Sequence, residues 1–323
     1  MKSLTLTYQN LIKKDIVQVE DLMRAQANGL TDDLKAATRI MIAAGGKRIR
    51  PALGLLIGKL LGGDTDRLVT LSAAIELLHT ATLVHDDLID GALLRRGVPT
   101  LSSKWSPGAT VLTGDFMFAR AARLAAETGS LDVMKIFAQT LSMIVNGEIE
   151  QLFKAQSKAD RKGYFQRIYS KTASLFETTA VSAALISSDE AHVHQRFSKF
   201  GYSLGMAFQI IDDIMDFTSD TNKVGKPVGN DLRQGIITLP VIIFAEKNPR
   251  DKDITSLVKG KGFDKENIAM IIEKVRNSEA ISTARCEANQ FVDQAIELLT
   301  PLKTGLYKSA LLELSNFITE RAS

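Results

Sequence analysis

The sequence predicts an all-α protein, on three observations. Apolar residues recur at helical spacing along most of the 323 residues, and the apolar–polar alternation of strands is almost absent. Prolines number only 7, too few to break many long helices. Glycine, proline and aspartate clusters cut the chain into segments of helix length rather than strand length. No low-complexity linker, charge block or short-period repeat divides residues 1–323, so one domain is expected.

In chain order, residues 4–44 read as two helices broken near Asn28-Gly29. Gly45-Gly46-Lys47-Arg48-Ile49-Arg50-Pro51 forms a turn into a third helix, with Pro51 suited to a first helical turn and Gly62-Gly63-Asp64 ending it. A long apolar helix is expected from Asp66 to Asp90. Arg95-Arg96-Gly97, Pro99 and Pro107 make 91–108 a loop. Helices follow at 108–128, 130–156, 161–187 and 190–218. The stretch 219–235 holds four glycines or prolines and reads as a flap over a site. In the apolar run Ile236–Ala245, Pro240 marks a kink or a helix start, and three or four amphipathic helices complete the chain.

Bulk properties narrow the function classes. A net charge of +3 gives no global electrostatic case for nucleic acid as a partner. The lone Cys286 excludes an intrachain disulfide framework and fits a reducing compartment. Met1–Glu20 lacks the apolar core of a signal peptide, and no run approaches 18 consecutive apolar residues, so neither export nor a membrane span is expected. The protein reads as cytoplasmic.

The chemistry concentrates in two matching runs, Asp86-Asp87-Leu88-Ile89-Asp90 and Asp212-Asp213-Ile214-Met215-Asp216. Each DDxxD lies in a long apolar helical segment. Its first and last aspartates are four residues apart and share a face. Like charges so placed weaken a helix, and burying them costs far more unless a cation compensates. Carboxylate ligands without a Cys or His cluster suit a hard ion, Mg²⁺ above all, which keeps coordination positions for water and phosphate. The two runs point to a Mg²⁺-bridged phosphate or diphosphate site. Cations flank them: Lys47, Arg48 and Arg50 beside the paired glycines, Arg95 and Arg96 after the first run, Lys223 and Lys226 after the second. Arginine forks bind phosphate oxygens bidentately, and a helix start offers free N–H groups to anions. His79 stands two turns before Asp86 on the same face.

These residues, in order, resemble the trans-isoprenyl diphosphate synthases of the polyprenyl synthetase family. The likeness runs through Gly45–Pro51, His79–Asp90, Arg95-Arg96-Gly97, Gly114-Asp115-Phe116, Gly147-Glu148-Ile149-Glu150-Gln151 and Lys171-Thr172-Ala173-Ser174-Leu175. It ends with Phe208–Asp216 and Gly225–Leu232, so it covers about residues 40–240. One DDxxD is weak; the ordered set is specific. A terpene cyclase would carry an Asn/Ser/Glu second motif, and a head-to-head synthase would lack the GGKRxRP segment. A di-iron bundle would show Glu-x-x-His pairs, absent from both runs. A non-catalytic regulatory subunit tends to lose the aspartates, and all six are present.

The resemblance implies a bundle of long antiparallel helices around a central cavity, usually a homodimer and in some members a heteromer. It implies three Mg²⁺ ions, an allylic diphosphate (farnesyl or geranylgeranyl) and isopentenyl diphosphate as substrates, and an allylic cation attacked head-to-tail. By the same resemblance Asp86, Asp90 and Asp212 ligate metal directly, with Asp87, Asp213 and Asp216 in the surrounding shell. Arg95, Lys171 and Lys226 contact the allylic diphosphate, with Gln209 nearby and Thr172 steadying the cation through its carbonyl. Lys47, Arg50, His79 and Arg96 hold isopentenyl diphosphate. Ile236 departs from the pattern, since many relatives place a basic residue there. Short-chain members put an aromatic four or five residues before the first aspartate, where this chain has Thr82 and Ala81, with Leu78 and Ala74 deeper on the stripe. Met117 and Phe118 are the candidates to close the tunnel. The expected product is medium to long, hexaprenyl to decaprenyl with heptaprenyl or octaprenyl preferred, and its release allows transient membrane contact.

Overall fold

The computed structural model describes residues 7–28, 31–43, 46–95, 97–153, 159–218 and 228–321. Its helices are α1 (Thr7–Leu11), α2 (Lys13–Ala25), α3 (Asp32–Ala43), α4 (Ile49–Leu60), α5 (Thr65–Ile89), α6 (Pro107–Glu127), α7 (Leu131–Phe153), α8 (Arg161–Ile168), α9 (Ser174–Ser187) and α10 (Ala191–Thr218). After these come α11 (Asn230–Arg233), α12 (Leu239–Lys247), α13 (Lys252–Val258), α14 (Lys265–Arg276), α15 (Ala280–Leu299) and α16 (Leu306–Glu320). The chain forms two compact units: one of residues 1–139, 178–198 and 301–314, the other of 140–177, 199–300 and 315–323.

The first unit is built on α5, which packs against α2, α4 and α6. Leu68, Leu71, Ala73, Ala74, Ile75, Leu77, Leu78 and Ala81 are all fully buried. Removing a leucine or isoleucine side chain from water contributes about 1.5–3 kcal/mol. By length and composition α5 could cross a membrane, contrary to the expectation of no such segment, but 72% of its apolar window is buried in the protein. The expectation counted unbroken apolar runs; the scattered polar residues of α5 let a core helix escape that count. Entry to α5 is fixed locally. Gly62 at φ +78° ends α4 in the left-handed region. The Gly63 N–H reaches back to the Gly58 carbonyl at 2.8 Å, and Asp64 caps α5 by accepting from Arg67 N–H at 2.8 Å.

The second unit buries one continuous apolar core that includes Ile168, Met206, Ile210, Ile214, Phe217, Leu239, Val241, Ile243, Ile271 and Val275. Helix α12 is apolar nearly all round, and Pro240 lies at its first turn, so the proline starts that helix rather than kinking it. Two expected elements are corrected. The segment 161–187 is broken by a π-helical turn, Tyr169–Ala173, and the loop 91–108 carries a two-residue hairpin pairing Leu94 with Pro99 and Arg95 with Val98. Neither irregularity leaves a periodicity signal, because each spans less than two helical turns.

Candidate active site

In the first unit the acidic run occupies the last turn of α5. Asp90 caps the helix and is exposed, Asp86 is half-buried, and Asp87 is turned inward. The Asp87 carboxylate accepts from Arg95 Nε at 2.8 Å. Arg95 is therefore aimed by the second aspartate of the motif that precedes it. His85 is clamped as well: its Nε2 lies 3.0 Å from the Val111 carbonyl and 3.5 Å from the Asp115 carboxylate. Gly114 allows this, since a Cβ there would collide with the imidazole. His79 is half-buried and Lys47 exposed, while Arg50 is buried at the start of α4.

Arg48 is a correction to the sequence reading. The sequence places it among the phosphate-facing cations, yet its guanidinium points into the protein. There it meets Glu20 at 3.0 Å, Glu76 at 2.8 Å and the Ile42 carbonyl at 2.9 Å. Its φ of 48° is the sole positive value at a non-glycine among the described residues, and these three contacts hold it there.

Ala74, Leu78 and Ala81 are fully buried on α5, and Met117 is buried on α6. Thr82 is half-buried with its hydroxyl donated to the His79 carbonyl at 2.7 Å, and Phe118 stacks edge-on against His85 at 5.3 Å. Arg96 and Lys226, with Lys223 and most of the expected flap, lie outside the described residues.

In the second unit α10 carries the whole constellation. Gly205 brings the helix so near the π-helical turn that a Cβ would stand 2.5 Å from Ala173 Cα. One turn on, Gln209 Oε1 accepts the Thr172 hydroxyl at 2.7 Å, and Gln209 Nε2 donates to Asp213 Oδ1 at 2.8 Å. Asp213 Oδ2 accepts the Tyr164 hydroxyl at 2.7 Å. Burial, then the Asp231 carboxylate, push the Asp213 carboxyl up to about 7, against the pull of its bonds from Tyr164 and Gln209. Burial and Asp213 together hold the Tyr164 phenol well above its ordinary value, so it stays a donor.

Asp212 and Asp216 are half-buried. Asp212 accepts from Arg321 Nη2 at 2.6 Å, and that guanidinium lies 4.2 Å from the Phe208 ring centroid. Asp216 accepts the N–H groups of Asn230 and Asp231, both at 3.1 Å, and so caps the short α11. Lys171 is exposed on the π-helical turn and paired with Glu148 of α7 at 2.6 Å. Ile236, at the often basic position, is half-buried, and its N–H bonds the Asp231 carbonyl at 2.8 Å.

Sequence reasoning missed Tyr164 and Arg321. Tyr164 acts on Asp213 across 49 residues, a pairing that no local spacing announces. Arg321 carries no local signal; only the tertiary fold brings the end of the chain to Asp212.

The donor set fits Mg²⁺. Both acidic runs offer carboxylate oxygens, and both sit in the last turns of a helix, where the negative end of the dipole adds to the demand for a cation. Among the described residues no three His, Cys, Asp or Glu side chains form a ready cage.

Comparison with known proteins agrees with this layout. The Polyprenyl synthetase family profile matches residues 31–275. The heptaprenyl diphosphate synthase component 2 of Bacillus subtilis is 36% identical over 282 residues, covering 87% of this chain and 80% of the relative. The octaprenyl diphosphate synthase of Escherichia coli is 30% identical over 313 residues, covering 96% and 97%. A polyprenyl synthase from Caulobacter crescentus, crystallised with calcium and isoprenyl diphosphate, superposes with a TM-score of 0.91 at 31% identity, covering all of both chains. The chain belongs to the polyprenyl synthetase family and is a prenyltransferase with the all-α isoprenoid synthase fold.

Proposed function

We propose that this chain condenses isopentenyl diphosphate head-to-tail with an allylic diphosphate to make an all-trans polyprenyl diphosphate of medium to long chain, heptaprenyl or octaprenyl preferred. One observation carries the reading. In each acidic run the second aspartate is turned inward and held by protein groups, while the first stays partly open to solvent. That division separates an anchor from a ligand. Asp86, Asp90 and Asp212 would hold Mg²⁺, three ions by family resemblance. When bound, the metal supplies positive charge that stabilises the departing diphosphate.

The remaining steps belong to the chain's own residues. Arg95, steadied by Asp87, and Lys171, steadied by Glu148, present cations to the allylic diphosphate with Lys226. Lys47, Arg50, His79 and Arg96 hold isopentenyl diphosphate. The allylic C–O bond breaks with its electron pair leaving on the diphosphate, and the isopentenyl double bond attacks the allylic cation. A proton then passes from the new C–C adduct to the released diphosphate. Thr172, its hydroxyl held by Gln209 at 2.7 Å, would turn its carbonyl and hydroxyl oxygens toward the developing positive charge. The small side chains of Ala81, Thr82 and Ala74 leave the product room to grow past the first run.

The protein works in the cytoplasm as a homodimer, with membrane contact on product release. A second reading rests on the Bacillus subtilis relative being named a component: this chain would be the catalytic half of a heteromer. The test is incubation of the purified chain with labelled isopentenyl diphosphate, farnesyl or geranylgeranyl diphosphate and Mg²⁺, then sizing of the dephosphorylated alcohols. Hexaprenyl to decaprenyl alcohols support the proposal, and geranylgeranyl alcohol as end product overturns the length assignment. Turnover that appears only with a partner subunit establishes the heteromer.

A further inference from the structure

The reaction as proposed uses Thr172 and Gln209 but does not explain what fixes them. A glutamine amide can present either its oxygen or its nitrogen to a given neighbour, and a threonine hydroxyl turns freely. In the second unit the choice is made by Asp213, four residues beyond Gln209 on the same helix. Asp213 receives Gln209 Nε2 on Oδ1 and the Tyr164 hydroxyl on Oδ2, at 2.8 and 2.7 Å. With its nitrogen committed to Asp213, Gln209 has only its oxygen for Thr172, and the Thr172 proton must point at it.

Tyr164 is itself immobilised. Its side chain is 1% exposed, the edge of Phe165 meets it at 5.3 Å, and the Arg167 guanidinium lies 5.5 Å from its ring centroid. Arg167 in turn donates to the Ile237 carbonyl at 2.6 Å. The chain of contacts thus starts at a rigid core residue and ends on the π-helical turn.

We propose that Tyr164 is a positioning residue for prenyl transfer: through Asp213 its hydroxyl sets the Gln209 amide, and through Gln209 the Thr172 hydroxyl. The inference rests on the reading that Thr172 and Gln209 face the allylic centre. Tyr164 touches no substrate. Its contribution is to the transition state, because with the Gln209 amide free to turn, the Thr172 hydroxyl that it holds is no longer fixed toward the developing cation.

The test is a double-mutant cycle of Tyr164→Phe and Thr172→Val, with kcat, both KM values and the melting temperature measured in the full chain. Tyr164→Phe is expected to lower kcat by about tenfold, the worth of one buried hydrogen bond, with both KM values within about twofold. The double variant should be no slower than Thr172→Val alone, since neighbours in one network are not additive. Multiplicative losses overturn the proposal, as does a Tyr164→Phe enzyme that melts lower with kcat intact, which is a structural role only. Should Tyr164→Phe fail to fold, Arg167→Met loosens the same ring from its outer side. It should show the same saturation against Thr172→Val at about two- to threefold, and multiplicative losses there overturn the proposal equally. Failure of the underlying reading looks different, because the unaltered chain would then make no prenyl product at all.

Discussion

Asp87 and Asp213 hold the same place in two copies of one pattern, and their surroundings differ in kind. Asp87 pairs with Arg95, a cation still 30% exposed, on a hairpin eight residues along. Asp213 is served by Tyr164 and Gln209, two neutral donors, one of them from another helix and fully buried. The first run thus aims a charge outward, and the second anchors a polar network inward. The aspartates beside them differ too: Asp90 is exposed at a helix end, whereas Asp212 and Asp216 are each engaged by the protein's own donors. One motif does two jobs, and which job falls to which carboxylate is set by what the fold brings to it.

The largest effect that would break this comparison comes from the leading aspartates. Asp86→Asn and Asp212→Asn each remove a charge where metal is proposed to bind. Each should lower kcat by about 10²–10³, the scale on which loss of one charge-stabilising group acts. The melting temperature should stay within a few degrees, because neither side chain is fully buried. Steady-state kinetics beside thermal unfolding decides it. A variant that unfolds rather than slows would make the leading aspartates structural.

The second aspartates should behave the other way round, and unequally. Asp213→Ala strands a buried phenol and an amide, and each unsatisfied donor costs about 1–3 kcal/mol, offset in part by relief of a buried charge. A net loss of about 2–3 kcal/mol is expected. Asp87→Ala frees a guanidinium that can reach water, so about 1 kcal/mol is expected there. Urea unfolding of both variants in EDTA measures the pair, and equal losses would erase the distinction between the two runs.

The acidic runs were legible in the sequence, and the groups that the fold brings to them were not. The two DDxxD runs and the order of the basic clusters are local facts, readable because each lies in a short continuous stretch. The helices themselves were legible for the same reason: the period of α5 and α10 is visible without knowing what they pack against. Arg48, Tyr164 and Arg321 were not. A buried arginine and a surface arginine have the same letter, and only Glu20 and Glu76, both 28 residues away, tell which this is. Tyr164 reaches across 49 residues to Asp213, and Arg321 across 109 to Asp212. Such pairs are a property of tertiary structure.

A smaller effect separates the two runs by what lies before them. Ala81 and Ala207 each stand five residues ahead of the leading aspartate, and both are fully buried. Phenylalanine at either site should cost about 1–3 kcal/mol through overpacking. Ala81→Phe alone should also shorten the product, to farnesyl or geranylgeranyl diphosphate, if the growing chain runs past α5. Product sizing of both variants, with melting temperatures to confirm folding, tests it. Unchanged lengths in Ala81→Phe would remove α5 as the floor, and shortening by Ala207→Phe would move the floor to α10.

The smallest effect concerns Arg321, which stands at Asp212 as a cation supplied by the protein itself. Its Nε and Nη1 are buried without a hydrogen-bond partner, facing the Phe208 ring, so its one strong polar tie is to the carboxylate. A metal ion arriving at Asp212 must displace that guanidinium or share the oxygen with it. Arg321→Met keeps the packing on Phe208 and removes the rival charge. Mg²⁺ titrated into the substrate-free protein should then reach half-saturation at about threefold lower concentration, the effect of a partly exposed ion pair of under 1 kcal/mol. Arg321→Lys should fall between that variant and the unaltered chain, because an ammonium competes for the oxygen without the planar fork or the stacking. Isothermal titration in the absence of diphosphate reads binding rather than turnover. If Arg321→Met bound Mg²⁺ more weakly, the arginine would be an organiser of the second run and not its placeholder. The two runs would then differ in how they are built but not in how readily each accepts a cation.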